Sequence, residues 1–217
     1  MKQFKAALFD LDGTLFDTEG QYSVFWKATG EKYRPDVPNL SDVIKGTTLV
    51  QIFNNYFPHK QWQEEITEGL DRWEENMDFP FIPGAQEFIR NIREHGVKCA
   101  VVTSSNRKKM DALRRKLPAF PDMFDVILTS EDFSASKPAP DCYIKAASVL
   151  GCSRDECVVF EDAFTGLQAG MSAEIFTVGL ATYNSADVIK DKCNYVIQNF
   201  CGIGYDDVVR MLNHDVL

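Results

Sequence analysis

Two aspartates one residue apart, Asp10 and Asp12, follow an apolar run and stand directly before Gly13 and Thr14. Paired carboxylates in such a place are costly unless a cation or a reaction needs them. Gly13 lets the chain turn sharply straight after them. Read alone, the pair is also compatible with two solvated turn aspartates. Three further groups stand in the same relation to an apolar run. Thr103-Ser104-Ser105-Asn106 follows Val101-Val102. A hydroxyl and successive backbone N–H groups leading into a helix make an anion cradle, or simply cap that helix. Lys137 precedes Pro138 ahead of a helical pattern. Its cation would neutralise a phosphate or hold an aspartate ionised, unless it lies free in a solvated loop. Glu161 and Asp162 follow Val158-Val159-Phe160. With Asp10 and Asp12 they form an oxygen-rich set of the kind Mg²⁺ prefers. Each signal is weak singly, but all four fall at the ends of predicted strands.

Those strands are the apolar runs at residues 4–9, 97–103, 125–129, 156–160 and 174–178, with a weaker one at 195–197. The runs are continuous rather than alternating, so both faces are expected to be covered, as in a parallel sheet. Helical patterns separate them. Ala85, Phe88, Ile89 and Ile92 keep the spacing of one helix face, and Gly96 follows as its stop. Another helix follows Pro138 and ends at Gly151, and segments 106–116, 163–171, 185–192 and 204–212 read the same way. This alternation predicts an α/β fold, a doubly wound parallel-sheet (Rossmann-like) core. In such sheets ligands bind beyond the carboxyl ends of the strands, where the four groups fall.

The interval 16–79 breaks the alternation. It holds three helical stripes, Tyr22-Phe25-Trp26-Thr29, Leu49-Ile52-Phe53-Tyr56 and Trp62-Ile66-Leu70-Trp73, punctuated by Pro35, Pro38 and Pro58. We read residues 1–15 and 80–217 as the catalytic core and 16–79 as an inserted small helical cap domain. The aromatic residues of the cap read as its core rather than as a base-stacking platform.

Composition narrows the class. The 217 residues are 45% hydrophobic and 25% charged, an ordinary globular balance. Against 32 acidic side chains stand 23 basic ones, a net charge of −9, which disfavours nucleic acid and anionic membranes as partners. Six scattered cysteines read as reduced thiols, no apolar stretch has the length of a membrane span, and the N-terminus lacks the pattern of a signal peptide. The expected location is cytoplasmic. The oligomeric state is left open, with a monomer compatible.

Five stretches carry a family likeness: FDLDGTLFDT (9–18), PGAQEFIRNIREHG (83–96), VVTSSN (101–106), SKPAPDCY (136–143) and FEDAFTGLQAG (160–170). Together they resemble the haloacid dehalogenase-like hydrolase superfamily, and within it the capped subfamily that includes β-phosphoglucomutase and sugar-phosphate phosphatases. The resemblance implies Asp10 as nucleophile, forming an aspartyl-phosphate. It implies Asp12 as the acid and base, with its backbone carbonyl on Mg²⁺. Thr103 and Ser104 would hold the phosphoryl group, Ser105 and Asn106 would extend that cradle, and Lys137 would balance charge. Asp10, Asp12, Glu161 and Asp162 would hold Mg²⁺, Asp162 more firmly than Glu161. In the cap, Tyr22, Lys45, Gly46 and Thr47 are the substrate-binding candidates.

The match departs in the cap. The mutase carries a histidine where Tyr22 aligns, and an arginine for a second phosphate where the loop 45–49 ends in Leu49, which has no donor. The expected function is therefore a Mg²⁺-dependent phosphatase of a small phosphorylated metabolite, of the sugar-phosphate class or pyrophosphate. A β-phosphoglucomutase-type isomerase is the alternative. A non-enzymatic, receiver-like phospho-acceptor is more remote, because the second acid at position 12 stands ready to hydrolyse the intermediate.

Overall fold

A computed structural model describes residues 2–213; residue 1 and residues 214–217, which the core assignment includes, lie outside the described residues. Strand β1 (Ala6–Phe9) leads into four helices, α1 (Glu19–Tyr33), α2 (Leu40–Val43), α3 (Leu49–Tyr56) and α4 (Lys60–Asn76). The chain then alternates through α5 (Ala85–Glu94), β2 (Lys98–Val102), α6 (Arg107–Lys116), β3 (Val126–Leu128), α7 (Asp141–Leu150) and β4 (Cys157–Glu161). It finishes with α8 (Phe164–Ser172), β5 (Phe176–Leu180), α9 (Ala186–Ile189), β6 (Tyr195–Ile197) and α10 (Tyr205–Leu212).

All six strands pair in parallel in the order β3-β2-β1-β4-β5-β6. Successive side chains of a strand face opposite ways, so each apolar run feeds two cores. Ala7, Phe9, Val101, Val158 and Phe160 pack with Phe88 and Ile92 of α5 and Val208 and Met211 of α10. Ala6, Leu8, Ala100, Val102 and Val159 pack with Tyr143 and Ala146 of α7 and Ala169 of α8. Each such large apolar side chain contributes about 1.5–3 kcal/mol by leaving water. The strand order reverses between β1 and β4, which opens a crevice beyond their carboxyl ends.

Helices α1 to α4 build a core of their own from Trp26, Leu40, Ile44, Ile52, Phe57, Ile66 and Leu70. The three stripes read from the sequence supply most of it. Helix α2 has no such signal, being four residues long and preceded by Asn39 at a left-handed φ of 55°. Phe16, Met77 and Phe79 belong to the core cluster under the sheet, and Phe16 bridges to Phe81, so the two connections to the helical insertion run side by side.

Strand β5 and helix α7, like β1 at Ala6 rather than at 4, start at least two residues later than their patterns predict. Strand β5 begins at Phe176 rather than at 174, because Glu174 and Ile175 donate to Met171 and Gly170 and close α8. Helix α7 begins at Asp141 because the Ala139 N–H bonds back to Ser136 and holds the residues after Lys137 in a turn.

Candidate active site

Register brings the acidic groups together. Phe9 pairs with Val101 on one side and Phe160 on the other, so the next step along each strand places Asp10 beside Val102 and Glu161. The Asp10 N–H donates to the Phe160 carbonyl at 3.0 Å. Asp162 follows at the end of β4, where Gly13 makes room for it. A Cβ on Gly13 would lie 2.2 Å from Asp162 Oδ2, and the glycine sits at a φ of +81°, so a side chain is excluded twice. Thr14 Oγ1 donates to Asp162 Oδ1 at 3.1 Å. Gly166 is needed for the same reason, since a Cβ there would overlap Glu161 Oε1.

Lys137 is fully buried among these groups. Its Nζ donates to Asp10 Oδ1 at 2.5 Å, Glu161 Oε1 at 2.8 Å and the Val102 carbonyl at 3.1 Å. Tyr143 and the Ala163 N–H also donate to Glu161, so both of its oxygens have protein donors. Burial opposes the charge on Lys137, but Asp10 and Glu161 outweigh it and hold the ammonium well above the ordinary lysine range. Burial, with repulsion from Glu161 and Asp12, pushes the Asp10 carboxyl up to about 8 against the pull of Lys137. Burial and the charges of Glu161 and Asp10 raise Asp162 well above the carboxylate range.

Asp12 turns the other way. Its Oδ1 accepts from Thr18 Oγ1 at 2.5 Å, and its Oδ2 accepts from Ser105 Oγ at 3.1 Å and from Lys109 Nζ. Lys109 is buried on α6 and lies 4.5 Å over the Tyr22 ring. The sequence reading missed it inside Arg107-Lys108-Lys109. The available signal was its place four residues before Leu113, on the apolar side of the helix. Thr182 and Asn184, after β5, were missed too; they donate to the carbonyls of Gly13 and Asp162 and brace both acidic loops.

Asp10, Glu161 and Asp162 each place one carboxylate oxygen within 4.8 Å of the others. Around them four carboxyl groups, with Asp12, face two ammonium groups, Lys137 and Lys109, a formal excess of two negative charges once Asp10 and Asp162 are ionised. Hard oxygen donors and an uncompensated charge of that size fit a divalent cation. Asp10 and Asp162 have the freer oxygens, while Glu161 is engaged by Lys137.

A cavity of about 480 Å³ lies between this cluster and the four helices above it. Asp10, Asp12, Thr103, Ser104, Ser105 and Asn106 line its floor, and Tyr22, Lys45, Gly46 and Thr47 line its roof. The Ser105 N–H donates to Thr103 Oγ1, and Asn106 caps α6 by accepting from the Lys109 N–H. The roof rests on the floor through Gly46, whose carbonyl accepts from Ser104 at 3.3 Å and Thr165 at 3.0 Å. A Cβ on Gly46 would lie 2.3 Å from Thr165 Oγ1. Gln51 adds a hydrogen bond to the Lys137 carbonyl at 3.1 Å. Tyr22 both packs against the cap aromatics and reaches the cavity, where its hydroxyl donates to buried Glu74 at 2.8 Å. Lys45 is engaged by Asp42 at 2.9 Å and by the Tyr183 ring. Arg72 pairs with Glu68 on the surface.

Residues 7–180 match the model of the family described as haloacid dehalogenase-like hydrolase. Among curated proteins, the chain is 30% identical over 222 residues to Protein SUPPRESSOR OF QUENCHING 1, chloroplastic, of Arabidopsis thaliana, with 98% of the chain covered. It spans only 20% of that protein's length. It is 29% identical over 174 residues to hexitol phosphatase A of Escherichia coli, covering 78% of this chain and 79% of that one. Among solved structures, a HAD hydrolase, family IA, variant 3 from Entamoeba histolytica superposes with a TM-score of 0.82 at 23% identity, covering 97% of this chain and 100% of the other. That likeness carries the fold.

Proposed function

The chain belongs to the haloacid dehalogenase-like hydrolase family, and from that premise we propose that it is a Mg²⁺-dependent phosphatase. Its substrate is a small phosphorylated metabolite of the sugar-phosphate class, hydrolysed through an aspartyl-phosphate on Asp10. The observation that carries the reading is the convergence, at one sheet rim, of Asp10, Thr103, Lys137 and the Glu161-Asp162 pair beneath a roofed cavity. The similarity to hexitol phosphatase A supports the substrate class.

Asp10 attacks phosphorus, and the ester P–O bond breaks. Asp12 gives its proton to the departing oxygen. Water then attacks the aspartyl-phosphate, Asp12 takes a proton from it, and the bond from Asp10 to phosphorus breaks to release phosphate. Lys137 fixes one oxygen of Asp10 and offsets part of its charge. Thr103 and the Ser104 N–H hold the phosphoryl oxygens. Asp10, Asp162 and the Asp12 carbonyl would hold Mg²⁺, with Glu161 positioned behind them. The ion would supply charge neutralisation between two anions that otherwise repel. The roof excludes bulk water while the intermediate lives.

A panel of phosphomonoesters and pyrophosphate, assayed for phosphate release with Mg²⁺ and with glucose 1-phosphate isomerisation run alongside, tests this reading. Release from one or more sugar phosphates is expected. Isomerisation without release would assign the mutase activity instead, and stoichiometric uptake without turnover would assign a phospho-acceptor.

A further inference from the structure

Two acids line the cavity beside lysines that are already engaged. Glu19 and Glu74 both line it, and Glu74 is buried there with one oxygen accepting from Tyr22. The two lysines that line the cavity are already engaged. Lys45 Nζ donates to Asp42 and lies 3.1 Å over the Tyr183 ring, and Lys109 is held by Asp12. No arginine lines it among the described residues. A second phosphate, or a carboxylate, at the far end of a substrate would be desolvated beside two acids with no free cation to meet it.

A hydroxyl meets the opposite situation. Ser23 is a lining residue of the cavity, and its Oγ is buried with no hydrogen-bond partner among the described residues. Such a group is rare in a native interior and is satisfied by an added donor or acceptor. Glu74 accepts from Tyr22, and a carboxylate retains further acceptor positions for a substrate O–H.

We propose that this cavity selects monophosphates whose distal end bears hydroxyls and no negative charge, with Glu74 excluding anions and Ser23 receiving a substrate hydroxyl. The inference rests on the phosphatase reading above and narrows it to neutral polyol and sugar monophosphates.

Matched ester pairs test it on the full chain with Mg²⁺: glycerol phosphate against phosphoglycerate, and hexitol phosphate against hexose bisphosphate. In each pair the neutral-ended ester is expected to have a kcat/KM higher by about 10-fold or more, expressed in KM. Glu74→Gln is expected to narrow that ratio several-fold. Ser23→Ala is expected to raise KM for hexitol phosphate about 10-fold while changing that for an alkyl phosphate lacking hydroxyls by less than about 2-fold. Equal or better turnover of the anionic partners by the wild-type protein overturns the inference and leaves the phosphatase reading standing. So does a Ser23→Ala effect of the same size on both kinds of ester. Absence of phosphate release from every ester overturns the phosphatase reading itself.

Discussion

Asp10 and Asp12 share a loop but not an environment. Asp10 is locked against Lys137 beside the acidic pair, whereas Asp12 is held by Thr18, Ser105 and Lys109. In the proposed mechanism these environments suit the two carboxylates to different tasks, one to attack and one to move protons. Asp12→Ala should slow both formation and hydrolysis of the intermediate, by about 100-fold or more in single-turnover assays; an unchanged steady-state rate would remove its acid–base role. A pH prediction follows from Asp10, whose carboxyl is pushed up to about 8 without a cation. Below that pH a proton occupies the group proposed to hold Mg²⁺, so affinity is expected to rise with pH and level off above it. Titration calorimetry should find the Mg²⁺ affinity weaker at lower pH, by up to about 10-fold per unit. Most of these residues were legible in the sequence because a carboxylate after an apolar run is conspicuous. Lys109 was not, because a lysine among basic neighbours looks solvated until its helix phase is counted. Ser23 and Glu74 were illegible for a different reason: only the packing of α1 against α4 puts them on one cavity.

Strand ends and tight glycines do the positioning. Parallel register alone aligns Asp10 with Glu161, and Gly13 then admits Asp162 to the same space. Gly13→Ala should therefore weaken Mg²⁺ binding at least about 10-fold while the sheet stays folded, through both the clash with Asp162 and a φ unfavourable to alanine. Far-ultraviolet circular dichroism and metal titration on the same sample separate these outcomes; wild-type affinity would contradict the assigned role. At this scale the strands and the long helices were readable from hydrophobic period. The start of β5 was not, because Ile175 is as apolar as its neighbours and only the backbone hydrogen bonds that close α8 exclude it. Helix α2 was not, because four residues are too few to show a period.

The molecule as a whole gathers Asp10, Glu161 and Asp162 at one rim of its sheet. Burial and mutual repulsion drive Asp10 and Asp162 toward the protonated form, and that cost lowers stability until a cation joins them. Replacing Asp162 by Asn should raise the Tm of the metal-free protein, by about 2–4 °C for each kcal/mol of repulsion relieved. Mg²⁺ should raise the Tm of the wild-type protein further, and the substitution should abolish that rise. A lower metal-free Tm would show that Asp162 stabilises the fold instead. The same architecture makes the central claim directly measurable. Rapid acid quench of a turnover mixture, followed by peptide mass spectrometry, should find phosphate on Asp10 only when Mg²⁺ is present, and Asp10→Asn should lose both the adduct and turnover while remaining folded. Phosphate release with no adduct on Asp10 at any quench time, or turnover by Asp10→Asn within about 10-fold of wild type, would contradict the account.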